Sequence, residues 1–194
     1  LTVRSANGAD DCTIDCEQMG RAFYFHSGED DKSVVMGFTI INGLTNDRGG
    51  AILCEASSPT IMGCDFEDNA AVSDGFGTGN GGAVYCAGAS PLLDRCNFRR
   101  NRAVTSVPDP EDPPFFDNSG LGGAVMAING SDVTLLDCTF EENEAVSPGL
   151  GGNGIGGAIF IAQSNPDGPT LPSHVLVDCG HFARNPAPIE DAAN

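Results

Sequence analysis

The sequence predicts an all-β fold, a right-handed parallel β-helix of about five to six rungs with long loops at one corner, and three observations predict it. One repeat recurs four times in the same internal order, its apolar runs are short and β-branched, and its spacing demands a bend inside each copy. Composition agrees: 26 Gly and no Trp suit many tight turns, because Gly inside a helix costs about 1 kcal/mol relative to Ala.

The chain opens with a degenerate coil over residues 1–48: Leu1 to Val3, Cys12-Thr-Ile-Asp-Cys16, Arg21-Ala-Phe-Tyr-Phe25, and Ser33-Val-Val-Met-Gly-Phe38-Thr-Ile40-Ile-Asn42-Gly43. Its last segment mimics the later repeats with Phe38 at their cysteine position. These residues read as one or two further turns of the same solenoid.

Four full copies follow over residues 49–185. Each begins with Gly-Gly-Ala-Ile or Gly-Gly-Ala-Val, at Gly49 to Ile52, Gly81 to Val84, Gly122 to Val125 and Gly156 to Ile159. After a short turn and an apolar run come Cys64-Asp-Phe66 with Asn69, Cys96-Asn-Phe98 with Asn101, Cys138-Thr-Phe140 with Asn143, and Cys179-Gly-His-Phe182 with Asn185. Successive starts lie 32, 41 and 34 residues apart. The excess falls between the Asn-x-Ala segment and the next Gly-Gly-Ala, which places the insertions at one corner. Residues 186–194 form a tail, and the single domain over 1–194 is expected to belong to a longer protein or assembly.

Runs such as Ala51-Ile-Leu53, Val133-Thr-Leu135-Leu136 and Val175-Leu-Val177, bounded by Gly, Ser, Asn or Pro, read as strands of three to five residues. No stretch holds a 3.6-residue period, so helix content is expected to be minimal. The apolar residue three before each cysteine (Ile61, Leu93, Leu135, Leu176) stands an odd interval of five from the Phe in the first three copies. A straight strand would put the two on opposite faces, so burial of both requires a turn near the cysteine.

The paired glycines admit a positive-φ corner, and the Ala after them fits a narrow interior. Asn69, Asn101, Asn143 and Asn185, tolerating left-handed φ, are expected to form an amide ladder along the axis. Phe66, Phe98, Phe140 and Phe182 are expected to stack inside, offset from one another.

With these motifs in hand, the chain resembles a known family. Repeated Gly-Gly-Ala-Ile and Phe-x-x-Asn mark the chlamydial polymorphic outer-membrane proteins and related pectin-lyase-like β-helix surface proteins, and the resemblance covers Gly49 to Asn185. It implies a surface-exposed or secreted passenger that adheres or scaffolds. The chain departs from that family in carrying no membrane-barrel sequence.

Cys64, Cys96, Cys138 and Cys179 share one repeat position, and Cys54 and Cys86 another. Rungs about 4.8 Å apart bring such residues within disulfide range. Two readings stand open: inter-rung disulfides such as Cys54–Cys86 and Cys64–Cys96, with Cys12 and Cys16 a further local candidate, or a reduced ladder packed as small apolar side chains. A zinc site is disfavoured, since stacking puts ligands in a line rather than a tetrahedron.

A formal charge of −18, with Lys32 the sole lysine, argues against nucleic acid and anionic membranes as partners. No apolar run reaches the length of a membrane span. Parallel β-helices that act on acidic polysaccharides need calcium and a basic residue, or paired carboxylates on neighbouring rungs. Asp65, Glu67 and Asp68 stack near Arg99 and Arg100 and then Glu141 and Glu142, but these positions are expected to form a solvated outer face. His26, His174 and His181 occupy unrelated phases, which argues against a histidine centre. Ser57-Ser58-Pro59 reads as a turn and Gly149 to Gly157 as a loop.

The insertion from Ser106 to Asp117, rich in proline and acids, with Phe115 and Phe116, reads as a spacer, a partner-binding loop or a calcium loop. The expected function is non-catalytic: an extracellular or cell-surface adhesion or structural module presenting its loop edge to a protein or glycan. The alternative is a polysaccharide-active β-helix. Neither end carries an obvious cap, so contact with further rungs or neighbouring subunits is expected there.

Overall fold

The structure is a computed structural model that describes residues 1–73, 79–105, 120–146, 154–162, 172–178 and 180–186. Its short strands join into four sheets in which every pairing is parallel and every neighbour is the strand one turn earlier or later. One turn visits the four faces in fixed order: Thr60–Met62, Asp65–Glu67, Ala70–Ser73, then Val84–Ala87. The first and second faces hold six strands each, the third four and the fourth five. One 3-10 turn at Ala9–Asp11 is the helical content among the described residues.

Strict register converts the repeat into columns. On the second face Ile14, Ile40, Phe66, Phe98, Phe140 and Phe182 lie directly over one another. The four Phe rings stack at 4.7 to 4.8 Å with planes within 8° of parallel. On the first face Val3, Val35, Ile61, Leu93, Leu135 and Val177 form the matching column. Val35, Ile61, Leu93 and Leu135 of the first face, Ile40, Phe66, Phe98 and Phe140 of the second and Ile52, Val84 and Val125 of the fourth fill one continuous core, with Val3 and Ile14 packed against it.

The corners explain the motifs. The residue before each corner cysteine is in the left-handed region, at Gly63, Arg95 and Asp137, so the chain bends where the odd spacing required. In each Gly-Gly pair the first glycine has positive φ (Gly49, Gly81, Gly122, Gly156). The second admits no side chain, because a Cβ on Gly82 would lie 2.1 Å from the carbonyl oxygen of Gly123.

Five expectations are corrected. The asparagines are not the left-handed residues; the residue before each one is, at Asp68, Arg100, Glu142 and Arg184, which leaves the amide free to point inward. Long connections occupy two corners, not one: besides those between the third and fourth faces, residues 162–173 separate Ile159–Ile161 from His174–Asp178. The fourth copy carries one extra residue before its Phe, so Val177, not Leu176, opposes Leu135, and the flanking pairs place Gly180 rather than Cys179 opposite Cys138; Cys179 itself lies outside the described residues. Phe182 stacks as expected but ends its column and remains 46% exposed.

The fifth concerns the thiols. Cys12, Cys16, Cys54, Cys64, Cys86, Cys96 and Cys138 are all free, so the reduced alternative holds among the described cysteines and the disulfide one does not. Each corner sulfur turns toward carbonyl oxygens at its own bend and on the preceding rung: Cys64 to Met62 at 3.5 Å, Cys96 to Ile61 at 3.6 Å, and Cys138 to Leu93 at 3.4 Å. The thiols thus act as small weak donors at a corner where carbonyls need partners. Cys12 and Phe38 belong to the same column, opposite one another and opposite Cys64.

Candidate functional site

The inner ladder fixes the outer surface. Asn69, Asn101 and Asn143 each donate Nδ2 to the preceding rung's main chain and to the next rung's Asn Oδ1. Asn101 Nδ2 reaches the Phe66 carbonyl and Asn143 Oδ1, both at 2.9 Å. Asn101 Oδ1 in turn accepts from the Asn69 backbone N–H at 3.2 Å and from Asn69 Nδ2 at 3.0 Å. Asn143 repeats the pattern toward Asn185, whose own Nδ2 donates to the Phe140 carbonyl at 3.0 Å, and Gly43, which stands in for an Asn, donates its N–H to Asn69 Oδ1 at 2.8 Å. Asn69, Asn101 and Asn143 are fully buried with their amides satisfied, which is the condition for a buried polar network to stabilise.

Side chains alternating with the Phe column point outward from the second face. There Asp65, Asn97 and Thr139 form a chain of hydrogen bonds along the axis: Asn97 Nδ2 donates to Asp65 Oδ1 at 2.7 Å and Thr139 Oγ1 to Asn97 Oδ1 at 2.6 Å. Beside them run Glu67, Arg99 and Glu141, and the six enclose a shallow depression of about 210 Å³. Burial pushes the Asp65 carboxyl up, outweighing the hydrogen bond from Asn97 that pulls it down.

All seven charged residues expected to share a surface are brought together. Arg100 pairs with Asp68 at 2.7 Å and Glu67 at 3.2 Å, Arg99 with Glu67 at 3.5 Å, and Arg184 with Glu141 and Glu142. Asn97 and Thr139 were not singled out in the sequence. Their signal is the residue between Cys and Phe, which alternation puts on the outer face.

The histidines do not converge: His26 lies against the Tyr24 ring and His174 bonds Asp132 at 3.1 Å. Among the described residues no three His, Cys, Asp or Glu side chains gather to hold a metal ion. The calcium and partner-loop expectations for Ser106 to Asp117 lie outside the described residues. The thiols are not shifted alike: Cys54, hydrogen-bonded with Cys86 and buried, is pushed well up, burial raises Cys64 and Cys96, and the hydrogen bond with Cys96 pulls Cys138 down.

A second apolar column, absent from the sequence reading, runs along the outside of the fourth face. Leu53, Tyr85 and Met126 are in register there and buried with Leu121, and Tyr85 carries the Arg48 guanidinium 5.3 Å from its ring centre.

No helix among the described residues is long and apolar enough to cross a membrane. A search of curated proteins and of solved structures returns no match. The family description that does match is that of the right-handed β-helix region, over residues 4–178. That span takes in the degenerate N-terminal coil and almost all of the repeats, and the chain therefore belongs to the right-handed β-helix family.

Proposed function

We propose that this chain is a non-catalytic extracellular or cell-surface module, a stiff β-helix that presents its loop edge to a protein or glycan partner. The observation that carries this reading is how the outer charges are used. The arginines of the second face are each held by carboxylates of the preceding rung, so the surface is a lattice of satisfied pairs rather than a set of groups converging on one point. Such pairing stiffens a shaft and leaves the connecting segments as the variable part. The resemblance of the paired motifs to the polymorphic outer-membrane proteins supports the same reading. Acidity supports it too, since a charge of −18 suits a solubilised surface in a medium rich in salt or divalent ions.

A second reading, action on acidic polysaccharides, has Asp65 in its favour. A carboxyl raised by burial beside a second carboxylate, Glu67, has the property asked of a general acid. Incubating the full chain with pectate and alginate, with and without calcium, while screening it on a glycan array, separates the two. Binding to a glycan or protein without turnover is expected. Depolymerisation that disappears in Asp65→Asn would overturn the scaffold reading.

A further inference from the structure

Cys54 and Cys86 sit directly over one another on the inner side of the fourth face. Both are fully buried and free, and their thiols are hydrogen-bonded to one another. The positions before and after them in that column are Phe25 and Ala127, so the column offers two sulfurs and no further ligand. The corner thiols are engaged differently, since Cys64, Cys96 and Cys138 turn toward carbonyl oxygens. Packing alone does not ask for sulfur in the inner column, where Ala127 fills the next position and is equally buried.

Strand spacing decides what can join the two sulfurs. In-register parallel strands carry equivalent Cβ atoms about 4.8 Å apart, and the Phe column measures the same step at 4.7 to 4.8 Å. A disulfide needs its Cβ atoms within about 3.5 to 4.5 Å, so closing one would pull two rungs together. A metal ion held in a line fits without that strain, because two thiolate bonds of about 2.3 Å each span about 4.6 Å. Zinc does not take this geometry: it needs four ligands in a tetrahedron, and among the described residues no three His, Cys, Asp or Glu side chains gather around an ion.

We propose that Cys54 and Cys86 form a two-coordinate site for a soft divalent cation of the mercuric type, bound sulfur–metal–sulfur along the axis of the coil. Thiolates select soft ions over hard ones. On binding, each thiol gives its proton to solvent and each sulfur forms one bond to the ion. The two thiolates cancel the divalent charge, which leaves a neutral unit in a dry core. A monovalent ion of the same linear habit, such as silver, leaves one negative charge there, and neither Phe25 nor Ala127 can compensate it. The site lies inside the coil and stands apart from the reading of the loop edge as a binding edge.

Mixing the full, reduced chain with an equimolar amount of mercuric chloride beside excess glutathione tests it. The parent is expected to keep a single ion through gel filtration, and X-ray absorption to show two sulfurs around it with no third neighbour. Cys54→Ala and Cys86→Ala are each expected to lose the ion to glutathione, whereas Cys64→Ala and Cys96→Ala keep it. Ala is already accommodated at the next position of the inner column, so the inner variants are expected to retain the circular dichroism spectrum of the parent. If one of them unfolds, the other and the absorption spectrum of the parent still decide. Silver is expected to leave the parent at a lower glutathione concentration than mercury, and zinc not to be retained. A parent that yields the mercuric ion to glutathione, a spectrum with three or four sulfurs, an ion kept by a folded inner variant, or silver held as firmly as mercury would each overturn the proposal.

Discussion

One asparagine shows how much a single amide secures. Removing the Asn101 side chain leaves the Asn69 N–H without a partner, frees one of the two Asn69 Nδ2 hydrogens and takes one donor from the Phe66 carbonyl, all in a dry interior. At about 1–3 kcal/mol per buried orphan, Asn101→Ala is expected to cost about 3 to 5 kcal/mol, read from the urea midpoint at unchanged slope. Asn185→Ala, in the last described rung, has partners on one side of the ladder only and is expected to cost less. Three of the buried thiols set an alkaline limit. Cys54, Cys64 and Cys96 titrate above the ordinary thiol value of 9.0, so below that pH both states are neutral and their contribution is intact. As pH rises through 9.0 the unfolded chain ionises first, and stability is lost progressively toward the raised native values. The melting temperature is therefore expected to fall above about pH 9, and replacing these three cysteines by Ala is expected to flatten that fall.

At the scale of one corner, two glycines with different reasons to exist make a controlled comparison. Gly63 has φ +54 and nothing within 4 Å of a built Cβ, whereas a Cβ on Gly82 meets main-chain atoms of the next rung and of Arg102 at 2.1 and 2.6 Å. Gly63→Ala is expected to cost about 1 kcal/mol for the left-handed conformation, and Arg95 and Asp137 already occupy the equivalent corners. Gly82→Ala must push two rungs apart and is expected to prevent a cooperative thermal transition. If Gly82→Ala melts within a few degrees of the parent, the close approach at this corner is not a constraint. The same contrast marks what the sequence made legible. Paired glycines and Phe-x-x-Asn each answer to a physical need repeated four times, and the odd cysteine spacing to one repeated three times, so periodicity exposed the coil, the Phe stack and the Asn ladder. Features needed once left no period. The extra residue in Cys179-Gly-His-Phe182 shifted the last register by one, and the connection over residues 162–173 opened a second long corner. The left-handed role went unseen at Asp68, Arg100 and Glu142 because these side chains look like ordinary surface charges, while Asn offered a familiar explanation one position too late. The outer site was half legible: its charges stood out, but Asn97 and Thr139 gained meaning only once they stacked on Asp65.

Across the whole molecule every strand pairing joins neighbouring turns, so each rung is held by the one before and the one after. Stability is then a sum of rung and interface contributions rather than the property of one centre. The middle turns are the most secure, with Phe66, Phe98 and Phe140 fully enclosed, while the end turns leave Leu176, Val177 and Phe182 exposed. Hydrogen exchange is expected to show graded protection. The strand amides of Asp65–Glu67 and Asn97–Arg99 should exchange slowest, Phe23–Phe25 and His181–Ala183 fastest. Asn101→Ala should then divide the gradient, releasing the turns on either side of the break before the rest. Uniform protection, with every amide opening in one event, would mean that the columns act as a single cooperative body and that the nearest-neighbour description fails.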